Sequence, residues 1–444
     1  MSAAELAGLA LVGLVVFALL VGAMLRSSQA FPLLAIFALP FRLPISTDGR
    51  TVNLLIPLYL VIAAGTLVWL LRRLPRFAHG EEHSAPPWRR APILLDWLLL
   101  ATVLLYALQC SYSSDAVKGA ENLAFFYIPF GLLYVQLREV RWTRELLVQC
   151  LGVAVVLAVV FAGVGFVEYH RHKLLLNPKV VAANQYDNYF RVNSLFFDPS
   201  IYGRFLALVM LGVTTIVLWT ARRRDVLVGA AVLTWLWAGL ITSFSQSSIA
   251  ALLLGLAILA AWRWDVRGTI YVGVALLAVA AVVVIAAPPG LHIGLSGSGG
   301  STNNATSGRS KLVTRGLELF TDRPLEGFGS GSFPLEYRRH NHVSSASATS
   351  ASHTIPVTVA AEQGILGLAL YIALLVVAFG VLFSGAGRSP PRIALAACFA
   401  ALVLHTWTYA DFLEDPLTWT MLGIGTALAL AARTVTSDPP VGSV

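Results

Sequence analysis

Runs of about twenty apolar residues recur along the whole chain, and no other feature limits its fold so tightly. A helix needs about 20 apolar residues to cross ~30 Å of hydrocarbon. Inside lipid, only a segment that satisfies its own backbone hydrogen bonds is stable. Candidate spans fall at residues 4–25, 52–71, 92–110, 122–137, 146–168, 201–220, 226–242, 248–262, 268–287, 356–384, 393–410 and 417–432. Composition agrees where surface matters: 57% of the residues are hydrophobic and only 12% are charged, against about a quarter charged in a soluble domain. A water-facing surface cannot be covered with so few charges. The sequence therefore predicts an all-α polytopic membrane protein with about twelve transmembrane helices. A short run at 30–41 would be the thirteenth. Its length gives a rise of only about 18 Å as a helix, and Pro40 and Pro44 favour a broken or re-entrant piece. The first run, Ala3 to Leu25, lacks a basic leader and reads as a retained helix.

Loop charges set the orientation. Arg72, Arg73, Arg76, Arg89 and Arg90, then Arg138, Arg141 and Arg144, then Arg222 to Arg224, Arg263 and Arg267, and Arg388 and Arg392 occupy alternate loops. The positive-inside rule makes these loops cytoplasmic. The net charge of +8 is thereby spread over many short loops, which excludes a nucleic-acid stripe. Three longer segments face outward, at 42–51, 169–200 and 288–355. The chain divides into helices over 1–287 (with the outer loop at about 169–200), a large extracytoplasmic loop over 288–355, and C-terminal helices with a cytoplasmic tail over 356–444. Within the large loop, a Gly/Ser/Asn stretch from Ser296 to Gly308 precedes a periodic segment. There Leu312, Leu317, Leu319 and Phe320 predict a short amphipathic helix ended by Asp322-Arg323-Pro324. Cys110, Cys150 and Cys398 have no metal-type spacing and read as packing residues.

Outer loops need no arginine for topology, so cations there ask for another explanation, and an anionic ligand is the simplest. Arg191 precedes the span at 201–220, and Arg309 precedes the amphipathic helix. A guanidinium bonds phosphate oxygens with a rigid fork and stays charged at any working pH. Two of them suit a diphosphate; headgroup contact or surface ion pairs would suit them too. His353 lies three residues before Pro356, at the expected mouth of a helix. A neutral imidazole there could take a proton from a hydroxyl. His340 and His342 form a His-Asn-His cluster without an acidic or cysteine partner at metal-ligand spacing. Glu362 falls nine residues after His353, inside a span. A carboxylate placed there needs a cavity or a partner.

In order, these landmarks resemble the signature region of the O-antigen ligase and polymerase superfamily of membrane glycosyltransferases. That pattern is a Gly-Arg, an amphipathic helix, Asp-x-Pro-Leu-x-Gly-x-Gly-x-Gly-x-Phe, then a His with Glu-x-Gly-x-x-Gly beginning nine residues later. The chain supplies Gly308-Arg309, then Asp322-Arg323-Pro324-Leu325-Glu326-Gly327-Phe328-Gly329-Ser330-Gly331-Ser332-Phe333, then His353 and Glu362-Gln363-Gly364-Ile365-Leu366-Gly367. The segment around Arg191 is similar to a further family landmark. Phe244-Ser245-Gln246-Ser247-Ser248 stands where the family often has Ser-Arg-Gly.

The resemblance implies a glycosyltransferase in the bacterial cytoplasmic (inner) membrane, with its site on the periplasmic or extracytoplasmic face. The donor would be an undecaprenyl diphosphate-linked glycan, and the acceptor a sugar hydroxyl on lipid A-core or on another lipid-linked glycan. Arg191 and Arg309 would hold the diphosphate, and His353 would act on the acceptor hydroxyl, with inversion. Arg338, Arg339, His340 and Glu362 would support them. The diphosphate is already a good leaving group, so neither metal nor cofactor is called for. A polymerase using the same donor is the alternative. A transporter or flippase would need a polar pathway, and the spans read as short of buried charge.

Overall fold

The computed structural model describes residues 3–47, 50–78, 93–175, 190–264, 271, 309–341 and 354–437. Almost all of them are helical: α1 (Ala3–Arg26), α2 (Ala30–Ala38), α3 (Ile56–Ala78), α4 (Leu94–Cys110), α5 (Ala116–Asn122), α6 (Ile128–Glu139), α7 (Arg144–Arg171), α8 (Pro199–Trp219), α9 (Arg223–Thr242), α10 (Gln246–Arg263), α11 (Arg309–Asp322), α12 (Phe333–Asn341), α13 (Ile355–Phe383), α14 (Pro390–Thr408) and α15 (Pro416–Ser437). Among the described residues, seven helices are long and apolar enough to cross a membrane, and α1, α4 and α15 contribute shorter apolar stretches. Large side chains such as Leu11, Leu14, Leu19, Leu104, Leu227 and Val376 point outward and exposed, as lipid-facing residues must. The chain is an integral membrane protein. The expected span at 268–287 lies outside the described residues apart from Tyr271, and so do residues 288–308 and 342–353 of the expected loop at 288–355.

Three departures from the sequence reading have physical causes. The expected span at 122–137 is part of a longer helical run: α5 passes through a π-helical turn at Leu123–Tyr127 directly into α6. The 42–51 segment is not a loop but an antiparallel hairpin, β1 (Leu43–Thr47) with β2 (Arg50–Leu54), in which Leu43 pairs with Leu54. The ambiguous piece at 30–41 is α2. Arg72, near the C-terminal end of α3, donates from Nη2 to the Met24 carbonyl near the C-terminal end of α1 (2.8 Å). The two helices therefore run parallel, and α2 with the hairpin returns the chain between them. Its nine residues suffice because Phe31, Pro32, Ala35 and Ala38 are buried against α3 and α7, with Phe31 lying over Gly65.

The two ends of the bundle differ in chemistry. At one end arginines close off helix ends. Arg73 pairs with Glu139 (2.6 Å) and Arg138 with Asp96 (3.0 Å). Arg263 Nε donates to the Leu218 carbonyl (3.0 Å), and Arg392 Nη1 to the Gly385 carbonyl (3.2 Å). Cations at helix C-termini complement the helix dipole, so this basic end does local electrostatic service. The other end gathers the starts of α5, α8, α10, α13 and α15, and it holds the candidate site.

Candidate functional site

Arg191 lies on an extended strap, residues 190–198, that leads into α8. Asp198 caps α8, its Oδ1 accepting from Ser200 N (2.6 Å), and Pro199 occupies the first helical turn. The strap is fixed to the end of α9: Val192 N donates to the Thr242 carbonyl (3.2 Å) and Arg191 Nε to the Ser243 carbonyl (3.1 Å). Two residues beyond Ser243, Ser245 caps α10, its Oγ accepting from Ser248 N (3.3 Å). Where the family often carries a cation, this chain has a buried hydroxyl network. Ser245 Oγ meets Ser248 Oγ (2.7 Å), and Ser247 and Ser248 both reach His405 Nε2 (3.3 and 3.2 Å). Arg191 thus stands beside the N-terminal end of a helix, where backbone N–H groups and the dipole favour anions.

The glycine-rich stretch 322–333 is a lock built into α13. At Gly364 the helix breaks (φ 63°, ψ −163°), and the loop takes over the backbone bonds that the break releases. Ile365 N, which a regular helix would direct at the Ala361 carbonyl, donates instead to the Pro324 carbonyl (2.8 Å). The Ala361 carbonyl accepts from Phe328 N (3.1 Å) and the Glu362 carbonyl from Gly329 N (2.8 Å). Glu362 completes the joint: its Oε2 accepts from Gly331 N (2.9 Å) and its Oε1 from Phe333 N (3.0 Å), at the start of α12. The other side of the loop leans on residues 112–114. Tyr112 Oη donates to the Glu326 carbonyl (2.8 Å) and Ser113 Oγ to the Ser330 carbonyl (2.9 Å). Gly327 and Gly364 are required twice over. Both have positive φ, and a Cβ would fall 2.3 Å from the Glu362 carbonyl oxygen at Gly327 and 2.2 Å from the Leu325 carbonyl oxygen at Gly364. Leu312, Leu319, Phe333, Tyr337 and Ala361 form a small apolar core of α11, α12 and α13 under this lock. Leu317, expected on the apolar face, is exposed.

Between strap and lock lies a charged pit that the sequence reading did not single out. Arg204 of α8 is almost completely buried and forms an ion pair with Asp415. The Arg42 guanidinium stacks 4.8 Å over the Phe197 ring. Asn122 Nδ2 donates to Glu414 (3.0 Å) and to Tyr106 Oη (3.0 Å). Asp411 adopts positive φ (67°). Burial pushes the carboxyls of Asp411 and Glu414 upward. Glu414 rises to about 8, with the Asp411 charge adding to the effect and Lys118 opposing it. A signal for Arg204 was present: a lone arginine four residues into an apolar run, just after Asp-Pro, asks for a buried partner.

The predicted site residues are distributed as follows. Arg191 is half-buried on the strap. Arg309 opens α11, but its side chain, like all of His353, lies outside the described residues. The expected convergence of Arg191, Arg309 and His353 therefore falls beyond them. Arg338, Arg339 and His340 sit in the last turn of α12. Arg339 pairs with Glu336 (2.7 Å), and His340 lies 3.6 Å from Glu318 and 3.8 Å from Asp322. Glu362 spends both carboxylate oxygens on the loop.

Fold and site together define a polytopic helical membrane protein whose polar machinery is concentrated at one end. Residues 231–372, about a third of the chain, match the family model described as O-antigen ligase. That match supports the O-antigen ligase/polymerase superfamily and a function of that general type. It takes in the lock, Arg309, His353 and Glu362, while Arg191 lies before it. No curated protein matches the chain.

Proposed function

We propose that the protein is an O-antigen ligase-like glycosyltransferase. It moves a glycan from undecaprenyl diphosphate to a sugar hydroxyl on an acceptor lipid such as lipid A-core, at the outer face of the cytoplasmic membrane. The observation that carries this reading is that the segment matching the O-antigen ligase family is bonded into the break of α13. The lock fixes that helix around Gly364, and the chain runs from His353 into its start. On this reading Arg191 and Arg309 bind the diphosphate and stabilise the negative charge that grows as it leaves. The acceptor oxygen attacks the anomeric carbon, the bond from that carbon to the diphosphate oxygen breaks, and the hydroxyl proton passes to His353. Attack from the face opposite the leaving group inverts the anomeric centre. Arg338 and Arg339, in the last turn of α12, help bind phosphate or core on this reading. Glu362 acts by holding the loop.

The test is transfer by the purified full-length protein from a defined lipid-diphosphate glycan, with acceptors offered separately. Product on lipid A-core alone supports the ligase. Product only on a second lipid-linked glycan makes the protein a polymerase, and no glycosidic product with either acceptor removes the enzyme reading.

A further inference from the structure

The strap that carries Arg191 is fastened to a residue that neither the motifs nor the proposed chemistry assigns. Glu168 sits in the last turn of α7 and is fully buried. Its two oxygens serve different segments: Oε1 accepts from Leu175 N (3.0 Å), just past the end of α7, and Oε2 from Ser194 N (2.8 Å), in the strap. Hydrogen bonds to a carboxylate are shorter and stronger than those between neutral groups. Two further hydrogen bonds, to the Thr242 and Ser243 carbonyls, join the strap to the end of α9.

Ser194 is also where the strap needs holding. It has positive φ (52°), a conformation that a non-glycine residue keeps only when its surroundings over-determine it. Phe196 packs against Phe161, Tyr202 and Phe205, and Arg42 stacks on Phe197, but the polar side chains at the turn itself give no such help. The side-chain polar atoms of Asn193 and Ser194 are buried without a hydrogen-bond partner among the described residues. The polar part of the hold therefore comes through backbone groups, and the carboxylate is the strongest of their acceptors. We infer that Glu168 is a positioning residue, fixing the 190–198 strap so that the Arg191 guanidinium stays at the mouth of α10, ready for an anionic group. The inference rests on the proposed role of Arg191 as a diphosphate clamp.

The test compares wild type with Glu168→Ala, Glu168→Gln, Arg191→Ala and the Glu168→Ala/Arg191→Ala double variant, all full length. Two quantities are read: hydrogen exchange of peptides covering 190–198, and transfer kinetics with the lipid-diphosphate donor. In Glu168→Ala, strap amides should exchange about tenfold or more faster, and donor KM should rise about tenfold with acceptor KM unchanged. Glu168→Gln, which keeps one oxygen acceptor, should fall between. The double variant should be no worse than Arg191→Ala, because Glu168 acts through Arg191. Unchanged strap exchange in both Glu168 variants, or effects that multiply in the double variant, would overturn the inference. Should Glu168→Ala fail to fold, the exchange and donor KM of Glu168→Gln decide. Wild-type kinetics in Arg191→Ala would instead remove the clamp reading, while strap exchange would still report whether Glu168 holds the strap.

Discussion

Two buried glutamates at the same end of the bundle perform one task in two settings. Glu362 receives Gly331 and Phe333 N–H, and Glu168 receives Leu175 and Ser194 N–H. Around Glu362 the loop is cross-bonded to α13 and to residues 112–114, and its left-handed positions are glycines. Around Glu168 the left-handed positions are His172 and Ser194, neither a glycine, and the polar side-chain atoms of Asn193 and Ser194 are buried without a hydrogen-bond partner among the described residues. The first region is saturated and reads as scaffold. The second seats a charged side chain on a strap held by apolar packing and few hydrogen bonds.

This contrast can be broken by experiment. The largest effect should come from Arg191→Ala, which on the proposed role lowers kcat about 10²–10³-fold while leaving Tm within a degree or two of wild type. A parallel fall in Tm would make the strap scaffold after all. Next comes Gly364→Ala, for which positive φ and the Leu325 carbonyl predict a loss of about 3 kcal/mol, read as a lower melting temperature and poor recovery from detergent. Wild-type melting would show that the break is not imposed by the lock. Glu362→Ala abandons two buried N–H groups and should lose about 2 kcal/mol, with Glu362→Gln milder. Equal transfer rates per folded molecule in these variants would confirm that the loop acts through stability.

The last effect is one of pH and concerns a carboxylate bonded to a side-chain amide. Glu414, held by the Asn122 side chain, has its carboxyl pushed up to about 8 by burial. Its folded pKa lies above the unfolded value of 4.5, so the folded state binds more protons between the two, and stability falls as pH rises through that window. The melting temperature should therefore decline from pH 5 to pH 8 and decline less in Glu414→Gln. An unchanged slope in that variant would shift the cause to Asp411.

Much of this was legible in the residues. Apolar runs located the helices, and Asp198-Pro199 and Pro356 marked two of their starts because proline and a capping carboxylate favour a first turn. What stayed hidden depended on distant partners. A run as short as 30–41 does not reveal that α3 and α7 will bury it. Glu168, followed by Tyr169-His170-Arg171-His172-Lys173, looks like part of a solvated helix end, since one of its partners is 26 residues away. The lock glycines were visible as a pattern, but the pattern is silent about α13 being broken where they dock. Arg204 was passed over because the rest of its span is so apolar.

The break at Gly364 has a consequence for biogenesis. Ile365 N, the Ala361 carbonyl and the Glu362 carbonyl find their acceptors and donors only in residues 324–329, which leave the ribosome before α13 does. If that earlier segment has already been exported when α13 enters the bilayer, the incoming helix meets a waiting template and need not rest in lipid with exposed amides. Delaying export of 324–329, for instance with a long insertion upstream of Arg309, should leave α13 unable to settle and send the nascent chain to quality-control proteolysis.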